Sequence, residues 1–161
     1  MINRSLFSSI TDKWSTPEDL YTALDREFGF TLDPCPLDGS VDGLSPFCIW
    51  AGQRAFCNPP YGRQIRKWLE RAFEADIAVY LLPARTDTRW FHEIVLPHAT
   101  EIRFVRGRLK FGHAKDRAPF PSVILVFDNR RAAECLSPHT VALSGEQSHE
   151  YPQWFPPSSL R

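Results

Sequence analysis

No run of apolar residues in this chain is long enough to cross a bilayer, and its opening residues lack the basic-then-apolar pattern of a secretion signal. A soluble, cytoplasmic protein is therefore expected, with no membrane partner. The four cysteines, Cys35, Cys48, Cys57 and Cys135, form no C-x-x-C pair and no zinc-like spacing. They read as reduced, mostly buried side chains, with neither a disulfide framework nor a metal site. Charge of one sign is also missing. Nineteen Lys+Arg against 19 Asp+Glu leave a formal net charge of +0. A nucleic-acid footprint, if present, must be local.

What is present suits one domain. The 161 residues can bury a real core, and 43% apolar with 24% charged is ordinary for a globular protein. Aromatics reach 13%, including 12 Phe and 5 Trp, and most belong in that core. Residues 1–13 read as an N-terminal arm, 14–128 as the folded domain and 129–161 as a Pro-rich irregular tail. Within the domain, Ser15-Thr16-Pro17-Glu18-Asp19 offers a hydroxyl cap, a first-turn proline and acids at the positive helix end. Leu20, Leu24 and Phe28 follow at helical spacing until Gly29. Short strands are expected at Phe30–Leu32 and Ala55–Cys57, separated by loop, then a helix over about 64–75. The unbroken apolar run Ile77–Leu82 reads as a buried parallel strand. A helix from Thr86-Asp87-Thr88 to Leu96 and strands over 101–105 and 122–127 complete an α/β pattern ending in an antiparallel pair.

The most informative stretch is Asn58-Pro59-Pro60-Tyr61, set after a strand, where open α/β sheets keep their ligands. Asn58 offers a carbonyl acceptor, Pro59 a backbone acceptor without an N–H, Pro60 stiffens the turn and Tyr61 supplies a flat ring. A planar, amine-bearing base needs two acceptors and a platform of that kind. Accepting both N–H bonds of an aromatic amine draws its nitrogen towards tetrahedral geometry and frees the lone pair. An activated methyl donor then requires only positioning and electrostatics, without a strong base. A base inside a duplex would have to be extruded to reach Tyr61. The same residues also make a rigid strand-end turn and nothing more.

Three further clusters bear on chemistry. Asp33-Pro34, after the first strand, could accept from the amino group of a cofactor, or simply start a turn. Trp14, Thr16 and Pro17 stand at a helix N-terminus, whose free N–H groups favour a carboxylate. Arg106, Arg108, Lys110, Phe111 and Lys115 sit in a loop between strands, where cations grip phosphates and a ring stacks on a base. Arg63, with Arg66 and Lys67, adds positive charge just after Tyr61.

Taken in order, the motifs resemble those of the phage-type, Dam-like DNA N6-adenine methyltransferases. The likeness covers about Trp14 to Phe127: Trp14-x-Thr16-Pro17, Leu32-Asp33-Pro34, Asp42-Gly43-Leu44-Ser45, Asn58-Pro59-Pro60-Tyr61-Gly62, Pro83-Ala84-Arg85-Thr86-Asp87-Thr88, Gly107-Arg108-x-Lys110-Phe111 and Pro119-Phe120-Pro121-Ser122. The resemblance implies a compact Rossmann-like methyltransferase fold with a mostly parallel sheet. It implies S-adenosylmethionine as donor and the adenine N6 amine of DNA as acceptor, in restriction–modification or regulation within a bacterial host. On that footing Asn58, Pro59, Pro60 and Tyr61 hold the base, with Phe111 over its other face. Trp14, Thr16, Pro17, Asp33, Pro34 and Asp42 face the cofactor, and Arg63, Arg85, Arg106, Arg108, Lys110 and Lys115 face DNA. One departure stands out. A full-sized member places two more strands between Asp33 and Asn58, one carrying an acid for the cofactor ribose. Here only loop fits, so the first half is shortened and Asp38 and Asp42 are the candidates for the ribose. No separate recognition domain fits either, which leaves sequence readout to the 106–121 loop, the tail or the second subunit of a homodimer. Two other readings remain open: a non-catalytic DNA- or cofactor-binding remnant, and transfer to another planar amide such as protein glutamine.

Overall fold

The computed structural model of the chain describes residues 15–112 and 116–131. The N-terminal arm, Trp14, Lys115 and nearly all of the tail lie outside these residues. Strand β2, Ile77–Pro83, is the centre: seven consecutive buried residues, parallel to β1, Arg54–Cys57, and antiparallel to β4, Ser122–Asp128. Strand β3, Glu101–Phe104, pairs antiparallel with the far side of β4, giving the order β1-β2-β4-β3. Three of the four strands thus run one way, as expected, but the reversed strand sits inside the sheet. The sheet is mixed, with one parallel and two antiparallel pairings, rather than mostly parallel by pairing.

The expected strand at Phe30–Leu32 shrinks to one parallel bridge, Leu32 to Ala55. Thr31 N–H donates to the Arg54 carbonyl at 2.8 Å and Phe56 N–H to the Leu32 carbonyl at 3.0 Å. Pro34 and Pro36 follow, and a residue without an N–H cannot extend the ladder.

Helices cover both faces. Helix α1, Glu18–Phe28, ends at Gly29, whose φ of 60° is left-handed and whose N–H reaches the Asp25 carbonyl at 2.7 Å. It packs against one face, where Tyr21 meets Phe56 edge-on at 5.2 Å. Arg103 of β3 ties into the same helix through two bonds to Glu27, at 2.7 and 2.6 Å. Helix α2, Ile65–Glu70, tightens into a 3₁₀ turn over Arg71–Glu74 and covers the other face. There the Tyr80 hydroxyl donates to the Trp68 carbonyl at 2.6 Å, and the Tyr80 and Phe127 rings meet at 5.9 Å.

Two expectations need correction. The first helix has Pro17 as its N-cap and no side-chain cap bond, so the hydroxyls of Ser15 and Thr16 do not cap it. The third helical stretch opens into a wide π-type turn over Phe91–Val95 before α3, Leu96–His98. Pro97 has no N–H for the ladder, and the Leu96 N–H bonds back to Phe91. Described structure continues after β4. Asn129 Nδ2 donates to the Ala72 and Ala75 carbonyls at 2.8 and 2.7 Å, within a 3₁₀ turn over Asn129–Arg131.

The loop from 33 to 53 is irregular yet packed. Trp50 is fully buried and its Nε1 donates to the Gly43 carbonyl at 3.0 Å. A Cβ on Gly43 would lie 2.6 Å from both the Pro34 Cβ and carbonyl oxygen, and 2.7 Å from the Trp68 ring. Gly43→Ala should therefore destabilise the domain by about 1–3 kcal/mol, as overpacking does. Gly62→Ala, at an exposed site with nothing within 4 Å, should stay within about 0.5 kcal/mol. Denaturant midpoints for the two variants check this, and equal midpoints would refute it.

Candidate active site

Because β1, β2 and β3 point the same way, Asp33, Asn58, Ala84 and Val105 all emerge at one end of the sheet. Helix α1 runs back towards the other end, so its N-terminus lies there too. That is why two segments 42 residues apart meet: Asn58 Nδ2 donates to the Thr16 hydroxyl at 2.9 Å. From the other side the Tyr61 hydroxyl donates to Asn58 Oδ1 at 2.7 Å, with the Leu81 carbonyl 3.3 Å from the same hydroxyl. Burial, reinforced by the neighbouring Cys57, pushes the Tyr61 phenol far above its usual range. Tyr61 therefore stays protonated and can donate. Asn58 and Pro60 are half-buried, and Pro59 and Tyr61 are buried.

The ring of Tyr61 is not an open platform. Phe120 meets it edge-on at 5.5 Å and 81°, and Phe111 at 6.3 Å and 74°. Phe111 is only 3% exposed. Both phenylalanine rings thus stand at a steep angle to Tyr61 rather than parallel to it. The loop carrying them is anchored. Ala118 N–H reaches the Leu109 carbonyl at 2.8 Å, Arg117 reaches the Arg108 carbonyl at 3.1 Å, and Ala84 N–H reaches the Pro121 carbonyl at 2.9 Å.

Among the residues expected to face a cofactor, Asp33 follows the Leu32 bridge and accepts the Cys35 N–H at 3.0 Å. Although Asp33 borders solvent, its carboxyl is partly desolvated. That raises its pKa despite the Cys35 N–H, and nearby Asp38 adds to the rise. Asp38 and Asp42 accept the N–H groups of Ser40 and Leu44, so each acid orders its own turn. Pro34 is buried and Pro17 is half-buried. Glu18 and Asp19 already place acids in the first turn of α1, and Asp19 accepts the Leu20 N–H. Less of that helix end is left for a cofactor carboxylate than the sequence suggests.

Arg63, Arg85, Arg106, Arg108 and Lys110 are all exposed around the same end of the sheet. Arg66 is engaged otherwise, bonded to Glu70 at 3.0 Å and to Glu93. No group of three or more His, Cys, Asp or Glu among the described residues could hold a metal ion, and no helix there is long and apolar enough to cross a membrane.

The family profile of the DNA N-6-adenine-methyltransferases (Dam) matches residues 46–145, well over half of the chain. The chain belongs to the Dam family. The matched span holds Asn58 to Tyr61 and all six proposed DNA-facing cations, and begins after Thr16, Asp33 and Asp42. No curated protein matches the sequence. Among solved structures, a Pyrococcus horikoshii protein described provisionally as an RNA methyltransferase, PH1948, is similar at 20% identity. The alignment covers 70% of this chain and 59% of that one, with a TM-score of 0.40, too low to establish a shared fold.

The sequence reading includes Pro119-Phe120-Pro121-Ser122 as a motif but gives its residues no role. Phe120 belongs to the aromatic cluster beside Tyr61. Ser122 is 1% exposed, and its hydroxyl has no partner among the described residues.

A raised tyrosine pKa has a pH signature. Above the unfolded value near 10, the unfolded chain loses a proton that the folded chain keeps, so stability falls as pH rises. Tyr61→Phe should therefore lose less melting temperature than the wild type between about pH 9 and pH 11. Identical alkaline slopes would show that Tyr61 is not buried as described.

Proposed function

We propose that this Dam-family protein transfers a methyl group from S-adenosylmethionine to the N6 amine of adenine in DNA. The observation carrying the reading is the oriented amide of Asn58. Its oxygen is set by a protonated phenol and its nitrogen by a hydroxyl, at the end of the sheet where the exposed cations gather. An amide oxygen can accept more than one hydrogen bond. An amine bonded to that oxygen and to the Pro59 carbonyl becomes the better nucleophile described above.

S-adenosylmethionine, when bound, supplies a methyl group on a sulfonium that needs no further activation. Asp33, whose carboxyl pKa is raised by partial desolvation, is the acid at the end of the first segment that would accept from the amino group of the donor. The Thr16 oxygen accepts from Asn58, and its O–H, with backbone groups and Pro17, could meet the cofactor. Asp42 and Asp38 remain the acids nearest in sequence for the ribose. A base stacking on Tyr61 would meet Phe111 and Phe120 beside that ring, and Phe111 could cover the other face of the adenine. Arg63, Arg85, Arg106, Arg108, Lys110 and Lys115 would neutralise phosphates.

One observation favours a second reading. The chain from 33 to 53 holds no strand, so a ribose-bearing strand is missing and a DNA-binding remnant without transfer is consistent. Calorimetric titration with S-adenosylmethionine separates the two, because a remnant need not bind it.

Transfer of labelled methyl to adenine-containing DNA is the direct test, and label appearing only in protein would overturn the reading. Asn58→Ala should keep the fold by circular dichroism and lower transfer by at least about 10²-fold, the scale of losing one preorganised polar contact. Arg108→Ala should weaken DNA binding and reduce the salt slope by about one. An unchanged slope would place the DNA elsewhere.

A further inference from the structure

We infer that Gly112 is a positioning residue for Phe111: lacking a side chain, it lets the loop between β3 and β4 settle against Ser15, and that contact helps seat the Phe111 ring beside Tyr61. The inference rests on the reading of Tyr61 and Phe111 as the rings that hold the base. Two glycines of this loop, Gly107 and Gly112, have left-handed φ angles of 78° and 48°. Any larger residue adopts such angles at a cost. Backbone twist alone therefore accounts for both glycines, but their surroundings differ.

A Cβ on Gly107 would meet nothing within 4 Å. A Cβ on Gly112 would lie 2.9 Å from the Ser15 Cβ, 3.4 Å from its Oγ and 3.9 Å from its carbonyl oxygen. Carbon atoms in contact sit about 3.5–4.0 Å apart, so an alanine would push the two segments apart by about half an ångström or more. The bonds described above do not join these two segments. Ala118 to Leu109 and Arg117 to Arg108 link residues within the loop, and Ala84 to Pro121 holds its base.

Phe111 comes directly before Gly112, and Thr16 directly after Ser15. The contacts therefore close a circuit. Asn58 Nδ2 meets the Thr16 hydroxyl at 2.9 Å, the Tyr61 hydroxyl meets Asn58 at 2.7 Å, and the Tyr61 ring meets Phe111 at 6.3 Å. Gly112 and Ser15 supply the remaining link. Phe120 also meets Phe111, at 6.2 Å, and Phe111 is buried, so the ring sits in close packing where a shift of its neighbour is felt. The amide and the ring proposed to hold the base are thus both referred to one short stretch of chain before α1.

Full-length variants test this by NMR and with unmethylated bacterial genomic DNA as substrate. In Gly112→Ala the cross-peak between the Tyr61 and Phe111 rings should weaken or vanish. Its kcat/KM for DNA should fall on the order of tenfold, less than a 1 Å misplacement can cost. Gly107→Ala, with a comparable backbone cost and no contact, should keep the cross-peak. Ser15→Gly added to Gly112→Ala removes the clashing atom while the alanine stays, and should restore both the cross-peak and kcat/KM. If Gly112→Ala does not fold, recovery of the fold by Ser15→Gly would support the contact, and no recovery would overturn it. A normal cross-peak in Gly112→Ala, the same loss in Gly107→Ala, or no recovery in the double variant would each overturn the inference. A wild-type protein that methylates no DNA would defeat the proposed function instead. The ring cross-peak would then still decide whether Gly112 positions Phe111.

Discussion

Strand β2 has seven consecutive residues out of water and partners on both edges, parallel to β1 and antiparallel to β4. Each large apolar side chain it buries contributes about 1.5–3 kcal/mol relative to exposure. With both faces covered, no slip in register is tolerated, because a shift by one residue would invert the whole strand. The positions of the loops follow from this. Parallel alignment puts the residue after Cys57 and the residue after Pro83 at the same end, and the second antiparallel pairing brings Val105 beside them. The candidate site is a consequence of strand direction before it is a matter of side chains.

Much of this was legible locally. Leu20, Leu24 and Gly29 mark α1, and the apolar run from Ile77 marks β2, because period and punctuation are local properties. The loop between β3 and β4 was visible from its glycines, prolines and cations. Other features depended on competition. Thr16 looks like a cap, but Asn58, 42 residues away, takes its hydroxyl, and no periodicity encodes that meeting. Pro97 announces a helix disturbance without saying that the ladder will widen and continue. Trp50 lies in a stretch of turn residues, and only folding shows that its indole pins that stretch to Gly43.

The motif led to reading Asn58 as an acceptor, and its surroundings add to that reading. The phenol of Tyr61 turns out to be a hydrogen-bond donor to that amide, and its ring is covered by two phenylalanines. A tetrapeptide read as two acceptors and a platform is better described as a clamped amide beneath an aromatic cover. The amide clamp and the aromatic cluster are built from different segments.

The single bridge at Leu32 has a consequence for solubility. Sheet margins invite other chains to pair with them, and aggregation begins at such margins. Here one margin ends after one rung, followed by Pro34 and Pro36, which offer no N–H to an incoming strand. At the opposite margin, β3 carries Glu101 and Arg103, the latter locked to Glu27. Shortening the first half of the fold thus leaves a border that resists templating its own polymer.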